Sequence, residues 1–200
     1  METKQKILDQ TFDLIMKFGI KSVSMDDISK RIGISKKTIY QYFENKKGLI
    51  HEVIENHITK DEEEISAIIK GAKDAIEEML LVAKHVLVFL RGMSPSMMFD
   101  TQKYYPKIWA RVENQHFTFI LNTIVENIKR GQNEGFYCDD IDADIISKMY
   151  VRQILTLADE TVFPLSKYER SDLYKSLVTY HVRGLLNDKG RIKAQNLKLE

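Results

Sequence analysis

The chain is predicted to be all-α, an N-terminal three-helix helix-turn-helix domain followed by a C-terminal helical bundle. Three observations predict it. Apolar residues recur at helical spacing, as in Ile28, Ile32, Ile39 and Phe43, which follow one another at four, seven and four residues. Three prolines and nine glycines in 200 residues leave long periodic stretches uninterrupted. Hydrophobic residues make up 44% of the chain, enough for a proper core in one or two domains.

The elements follow in order. Helix one is expected from about Thr3 to Phe18, burying Ile7, Leu8, Phe12, Ile15 and Phe18 and stopping at Gly19. Ser24 and Asp27, three residues apart, form a capping box with Asp in place of the usual Glu. Gly33 stands where a left-handed stop residue ends that helix. Ser35 caps the next helix and Asn45 a further one, carried onward by Leu49, Ile50, Val53, Ile54 and Ile58. The connection around Gly33 and Ile34 is so short that it forces the steep crossing of a helix-turn-helix. A connector helix over 46–60 reaches the acidic run Asp61 to Glu64, where it ends or bends. A long helix over 65–91 is broken by Gly92-Met93-Ser94-Pro95, and a short one spans 96–103. Pro106 starts a helix over 107–129, which ends near Gly131 to Gly135. Asp142 or Asp144 starts one that Pro164 closes after Phe163, and Ser166 or Lys167 starts the last, to about Asp188. The domains are therefore 1–47 and 61–190, with a frayed polar tail over 191–200.

The third helix carries the chemistry. Ile39 and Phe43 turn inward, while Lys36, Lys37, Tyr40 and Gln41 fall on the opposite face. Donors outward and apolar residues inward are what a helix laid in the DNA major groove requires. Lysine donates to guanine O6 and N7 and glutamine bonds adenine, so Lys36, Lys37 and Gln41 are the first candidates for base edges. Thr38 and Tyr40 add a thymine-methyl or phosphate contact, although Tyr40 can also pack on its own domain. Ser24 and Met25 open the second helix, where backbone amides and a hydroxyl meet phosphate. The bland alternative for Lys36, Lys37 and Gln41 is a solvated helix face. Charge distribution favours the DNA reading: the formal net charge is +1, but residues 1–60 hold eleven Lys/Arg against eight Asp/Glu, while residues 61–200 hold nineteen against twenty-one.

These residues, in this order and without gaps, resemble the TetR family of bacterial transcriptional regulators. The resemblance runs through Phe18-Gly19-Ile20, Val23-Ser24-Met25, Ile28, Ile32-Gly33-Ile34-Ser35, Thr38-Ile39-Tyr40, Tyr42-Phe43, Asn45-Lys46 and Leu49, about a quarter of the chain. Ser29-Lys30-Arg31 departs from the alanine common after the isoleucine, but Ser29 is small enough to pack there. The resemblance implies that Tyr42 and Lys46 hold phosphates and that Ser35 belongs to the same interface. It also implies a cytoplasmic homodimer on a near-palindromic double-stranded operator, most often a repressor released by a small hydrophobic or amphipathic effector.

The second domain offers two further surfaces, each with a bland alternative. His85, Phe89, Met93, Met97, Met98, Phe99, Trp109, His116, Phe117, Met149 and Arg152 supply soft, aromatic and a few polar groups suited to an effector pocket, or are ordinary core. Arg152, on a weakly charged helix, calls for an internal partner such as Asp159, a dimer rim or an anionic ligand. Leu155, Ala158, Val162, Leu173, Leu177, Tyr180, His181 and Gly184 provide either internal core or a four-helix dimer interface. Catalysis is not expected. No Gly-rich phosphate loop, HExxH pair or nucleophile elbow is present. The lone Cys138 makes no disulfide or cysteine-rich metal site, and Asp140 to Asp144 imitates a calcium loop but lacks its glycine and bidentate glutamate. No cofactor or metal is expected, nor a signal peptide or membrane span. Two alternatives remain: an effector-free DNA-binding adaptor or architectural protein of the same fold, and a helical enzyme or carrier with a vestigial DNA-binding end.

Overall fold

The computed structural model describes residues 2–94 and 96–195, apart from the Gln115 side chain. The elements among the described residues are all helices: α1 (Glu2–Phe18), α2 (Met25–Ile32), α3 (Lys36–Tyr40), α4 (Lys46–Gly71), α5 (Ala75–Gly92), α6 (Met97–Tyr104), α7 (Pro106–Arg111), a π-helical turn (Val112–His116), α8 (Phe117–Asn133), α9 (Ala143–Thr156), α10 (Arg170–Leu185) and α11 (Asp188–Ala194). They form two compact units, residues up to 62 with 92–114, and 63–91 with 115 onward. None of the helices is long and apolar enough to cross a membrane.

In the first unit the boundary chemistry is as the sequence implies. The Asp27 N–H donates to Ser24 Oγ at 3.2 Å while the Ser24 N–H donates to Asp27 Oδ2 at 2.8 Å, closing the capping box. Gly33 ends α2 at φ 76°, and its N–H and that of Ile34 both return to the Ser29 carbonyl. Ser35 Oγ accepts the Thr38 N–H at 3.1 Å, and Asn45 Oδ1 accepts the Gly48 N–H at 2.9 Å. Ile7, Ile15, Ile20, Ile28, Ile39, Leu49 and Ile50 are fully buried. Phe18, expected inside, is 51% exposed, whereas Thr11 and Met16 are buried. Phe18 shares the helix face of Thr11 and Ile15, seven and three residues back, but it is the last residue of α1, at the end of the inward stripe.

Residues 92–114, expected from the sequence in the second domain, group with the first unit. The buried Asp100 explains why. Its Oδ2 accepts the Lys21 N–H at 3.1 Å, and the Ser94 N–H donates to the Met16 carbonyl. Gly19, at φ 80°, lets the turn approach, because a Cβ there would collide with Ser96 Oγ. Pro95, the expected helix breaker, lies outside the described residues, and α5 has already ended at Gly92.

Helix α4 does not end at Asp61 to Glu64 but continues to Gly71. The break falls at Ala72 to Asp74, inside the helix expected over 65–91. Asp74 Oδ1 accepts the Ile76 and Glu77 N–H groups at 3.0 Å, and Glu77 Oε2 accepts the Lys73 N–H at 2.7 Å. This is a second capping arrangement, Asp74-x-x-Glu77, masked in the sequence by the helical period running through it.

The second unit packs Ile76, Met79, Ala83 and Leu87 of α5 against Ile128 of α8, Tyr150 of α9 and Tyr174, Val178 and Leu185 of α10. A polar network closes one end of this core. Arg130 Nη1 meets Glu78 Oε2 at 2.7 Å and Arg130 Nε meets Glu134 Oε1 at 2.8 Å. Asn127 Nδ2 donates to Glu78 Oε1 and to the Ala75 carbonyl, both at 2.9 Å, and Tyr137 Oη reaches Asn127 Oδ1 at 3.2 Å. Burial pulls the Arg130 pKa down, but its bonds to Glu134 and Glu78 more than reverse this, leaving it raised.

Three helix ends differ from expectation. The helix expected from Lys107 passes through the π-helical turn before α8 and runs on to Asn133. Helix α9 stops at Thr156 rather than Phe163, because Asp159 Oδ1 binds the Thr161 N–H at 2.8 Å and its hydroxyl at 2.7 Å in a turn of its own. Residues 191–194, expected to fray, belong to α11. Asn187 caps it through the Gly190 N–H at 2.9 Å, and Lys193 pairs with Asp74 at 2.7 Å. The rest of the expected tail, residues 196–200, lies outside the described residues.

Candidate nucleic-acid interface

The first unit presents α3 as a short, capped helix with one wet face. Ile39 is completely buried beneath it, and Lys36, Lys37, Gln41 and the half-exposed Tyr40 are turned to solvent. Lys37 and Gln41 have no side-chain partner among the described residues. Thr38 Oγ1 lies 2.9 Å from Ser35 Oγ, so these two hydroxyls are coupled. The Ser24 side chain and backbone N–H are both engaged by Asp27, and the Met25 side chain is buried, leaving the Met25 backbone amide on offer. Tyr42 is 40% exposed and tilted against Phe43. Lys46 departs from the expected phosphate role. Its Nζ donates to the Ile20 carbonyl at 2.7 Å, and burial lowers its pKa despite the opposing pull of Asp100 and Asp27. In this geometry the ammonium serves its own domain.

One partner is invisible in the sequence. Lys36 Nζ sits 2.9 Å from Asp26 Oδ1 and 3.0 Å from Oδ2, joining the first residue of α3 to the first turn of α2. Hydrogen bonding and attraction to Asp26 raise the Lys36 pKa. The spacing of ten residues across a turn has no helical periodicity, so only the folded geometry reveals the pair. A DNA contact by Lys36 would have to compete with Asp26, whose carboxylate would also repel a nearby phosphate. Asp26→Asn is therefore expected to tighten binding to DNA of any sequence by about two- to five-fold at low salt, the scale of an exposed ion pair. Fluorescence anisotropy on a specific and a random duplex reads it; unchanged binding to both would mean that the pair is idle.

The comparisons with known proteins agree with this geometry. Residues 7–53, the whole helix-turn-helix and the start of α4, match the model of the bacterial regulatory proteins of the tetR family. The chain is 26% identical over 175 residues to the HTH-type transcriptional regulator UidR of Escherichia coli K12, covering 86% of this chain and 84% of that one. Over residues 7–53 the chain carries a helix-turn-helix of the tetR family. Solved structures share the fold of this chain across its length. One is a transcriptional regulator from Saccharomonospora viridis in complex with choline, with a TM-score of 0.74 and 20% identity over 93% of this chain and 98% of that one. Another is FadR from Bacillus subtilis in complex with stearoyl-CoA, with a TM-score of 0.63 and 21% identity over 90% and 98%.

The residues expected to line an effector pocket do not share one unit. Met93, Met97, Met98, Phe99 and Trp109 lie in the first, and His85, Phe89, His116, Phe117, Met149 and Arg152 in the second. Phe99 and Met149 are about half exposed, and Arg152 faces solvent on α9, so it needs no internal partner. The buried arginine is Arg170, at the start of α10, where the sequence alone suggests no more than a helix-terminal charge. Among the residues expected at a dimer interface, Tyr180 is 75% and Val162 49% exposed, Gly184 is open, and Leu155, Ala158, Leu173 and Leu177 are half-buried.

His181 is the correction in that set. It is 7% exposed, its ring 4.2 Å from that of Tyr150, with Nε2 unpartnered. Burial drives its pKa down to about 4. The folded value lies below the unfolded one, so the unfolded chain binds the extra proton. The stabilisation is complete above the unfolded pKa of about 6.5 and is lost as pH falls toward 4, by roughly 3 kcal/mol in total. Urea unfolding across this window should show that loss in the wild type and much less of it in His181→Phe.

Proposed function

We propose that this regulator acts as a homodimeric transcriptional repressor, released from a near-palindromic operator by a small-molecule effector bound in its second unit. The observation that carries the DNA half is the capped α2–α3 pair, which holds the Lys37 and Gln41 side chains outward over a fully buried Ile39. One such helix covers only a few base pairs, so sequence recognition requires two copies on a two-fold axis. The exposed Tyr180, on one face of α10 with the half-buried Leu173 and Leu177, and the exposed Val162 support a second copy as their cover. The effector half rests on relatives of the same fold that hold choline or stearoyl-CoA. In the proposed switch an effector favours the state that does not bind DNA, with a coupling of about 1 to 3 kcal/mol.

Footprinting on the DNA upstream of the protein's own gene tests this reading. A two-fold symmetric footprint that weakens steeply with salt is the expected result. Release of that footprint by a compound that raises the melting temperature supports the effector half. Weak, unlocalised binding would sink the operator reading, and a footprint that no compound library disturbs would sink the effector reading.

A further inference from the structure

Arg170 is the group in the second unit that its own protein does not explain. It is 8% exposed, and two of its guanidinium nitrogens, Nε and Nη1, have no hydrogen-bond acceptor among the described residues. Glu160 attracts it without an ion pair between them, and burial lowers its pKa all the same. A buried guanidinium with unmatched donors is an expensive arrangement, normally resolved by a carboxylate, a phosphate or backbone carbonyls.

A second observation is independent of the first. Arg170 is the first residue of α10, a helix of sixteen residues, and the preceding Glu169 makes no side-chain cap. The helix therefore opens with uncapped backbone donors and the positive end of its dipole beside a planar, five-donor cation. Further along the same inward face, four and eleven residues on, come Tyr174, hydrogen-bonded to Tyr150, and the unpartnered His181. The buried face of α10 thus carries polar groups that a purely structural helix would replace with aliphatic ones.

We propose that Arg170 is the anchor for an effector bearing an oxyanion, a carboxylate or a phosphate, which pairs with its guanidinium at the start of α10. This rests on the effector half of the proposed function and gives that effector a charge. A choline-like cation would be repelled here. A partner subunit's carboxylate is the competing occupant, but Arg170 is buried within its own unit and offers little surface to a second chain.

The test compares the full-length wild type with Arg170→Met and Arg170→Lys. Probes are acetate, octanoate, octyl phosphate and inorganic phosphate, with octanamide and matched sodium chloride as controls. Without any probe, Arg170→Met should be at least as stable as the wild type, because an unpaired buried cation is being replaced by an apolar side chain of similar length. At a hundred-fold excess over Kd, at least one oxyanion should raise the wild-type melting temperature by about 5 °C or more. The rise should vanish in Arg170→Met and survive in part in Arg170→Lys. The carboxylate and phosphate arms separate the two sources of oxyanion.

Three results would overturn the proposal. Marked destabilisation of Arg170→Met alone would mean that the guanidinium is structurally satisfied, by buried water or a partner subunit, and a parallel loss of dimer would identify the subunit. No shift from any oxyanion beyond the chloride control would remove the anion site, while release of the footprint by other compounds would leave the effector reading standing. Equal stabilisation by octanamide and octanoate, unchanged in Arg170→Met, would show an effector site that does not use Arg170.

Discussion

Replacing Lys36 and Lys37 together by alanine is expected to weaken operator binding by roughly 100-fold while leaving the protein folded. Each lysine that meets a base edge or phosphate contributes about a ten-fold or greater share, and removing one lysine–phosphate pairing lowers the salt slope by about one. Both side chains are exposed, and α3 is held from beneath by Ile39 and from its start by Ser35, neither of which is touched. Lys36→Ala has an additional consequence, since it leaves the Asp26 carboxylate unneutralised at the interface. The single variants should therefore differ: Lys37→Ala gives up only its own bond to DNA, whereas Lys36→Ala also exposes DNA to a bare negative charge. Adding Asp26→Asn to Lys36→Ala should recover part of the affinity. Anisotropy at two salt concentrations measures all of this, with a circular dichroism melt to confirm folding. Undiminished operator affinity in the double variant would remove α3 as the reading element.

Arg130→Met is expected to destabilise the second unit by about 3 kcal/mol, the largest stability effect of any change considered. Glu78 has a side chain only 4% exposed, and Arg130 is its one cationic partner in the network, at 2.7 Å. Removing the cation leaves a buried carboxylate held by the Asn127 amide alone. Arg130 is itself about one-third exposed, which is why the low end of the usual range applies. Arg130 Nη2 also donates to the Ala72 carbonyl at 3.0 Å, so the break between α4 and α5 loses a tie as well. Combining Arg130→Met with Glu78→Gln should restore much of the stability, because no fully buried charge is then left unpaired; Glu134 also loses Arg130, but it is partly exposed and keeps the Ala75 N–H. Urea denaturation of the two single variants and the double variant forms the cycle that reads the coupling. A loss below about 1 kcal/mol in Arg130→Met would mean that water already serves Glu78.

The contrast between these two sites explains what the sequence disclosed. The α2–α3 module was legible almost residue by residue because its determinants are local. Ser24 with Asp27, Gly33 and Ser35 each act within a few positions, and each takes the predicted role. The relationships that eluded the sequence are the ones that span it. Lys36 with Asp26, Asp100 with the Lys21 amide and Arg130 with Glu78 lie 10, 79 and 52 residues apart. No period reports such pairs. Arg152 and Arg170 show the same limit from the other side: both are arginines on helices of similar composition, and only packing exposes one and buries the other. The Asp74-x-x-Glu77 cap and the Asn187 cap are local signals of the legible kind, hidden inside stretches whose helical period continues past them.

The interleaving of the two units bears on how the chain is made. The first unit draws on residues 92–114, and the second is closed by Lys193 reaching back to Asp74. Emergence from the ribosome therefore cannot complete either unit in simple order. A nascent chain halted at residue 62 lacks the Asp100 that holds the Lys21 amide, and one halted at residue 187 lacks the latch on Asp74. Assembly must wait for distant partners: the DNA-binding unit cannot be finished until residues 92–114 have emerged, and the second unit waits longer still, for Lys193.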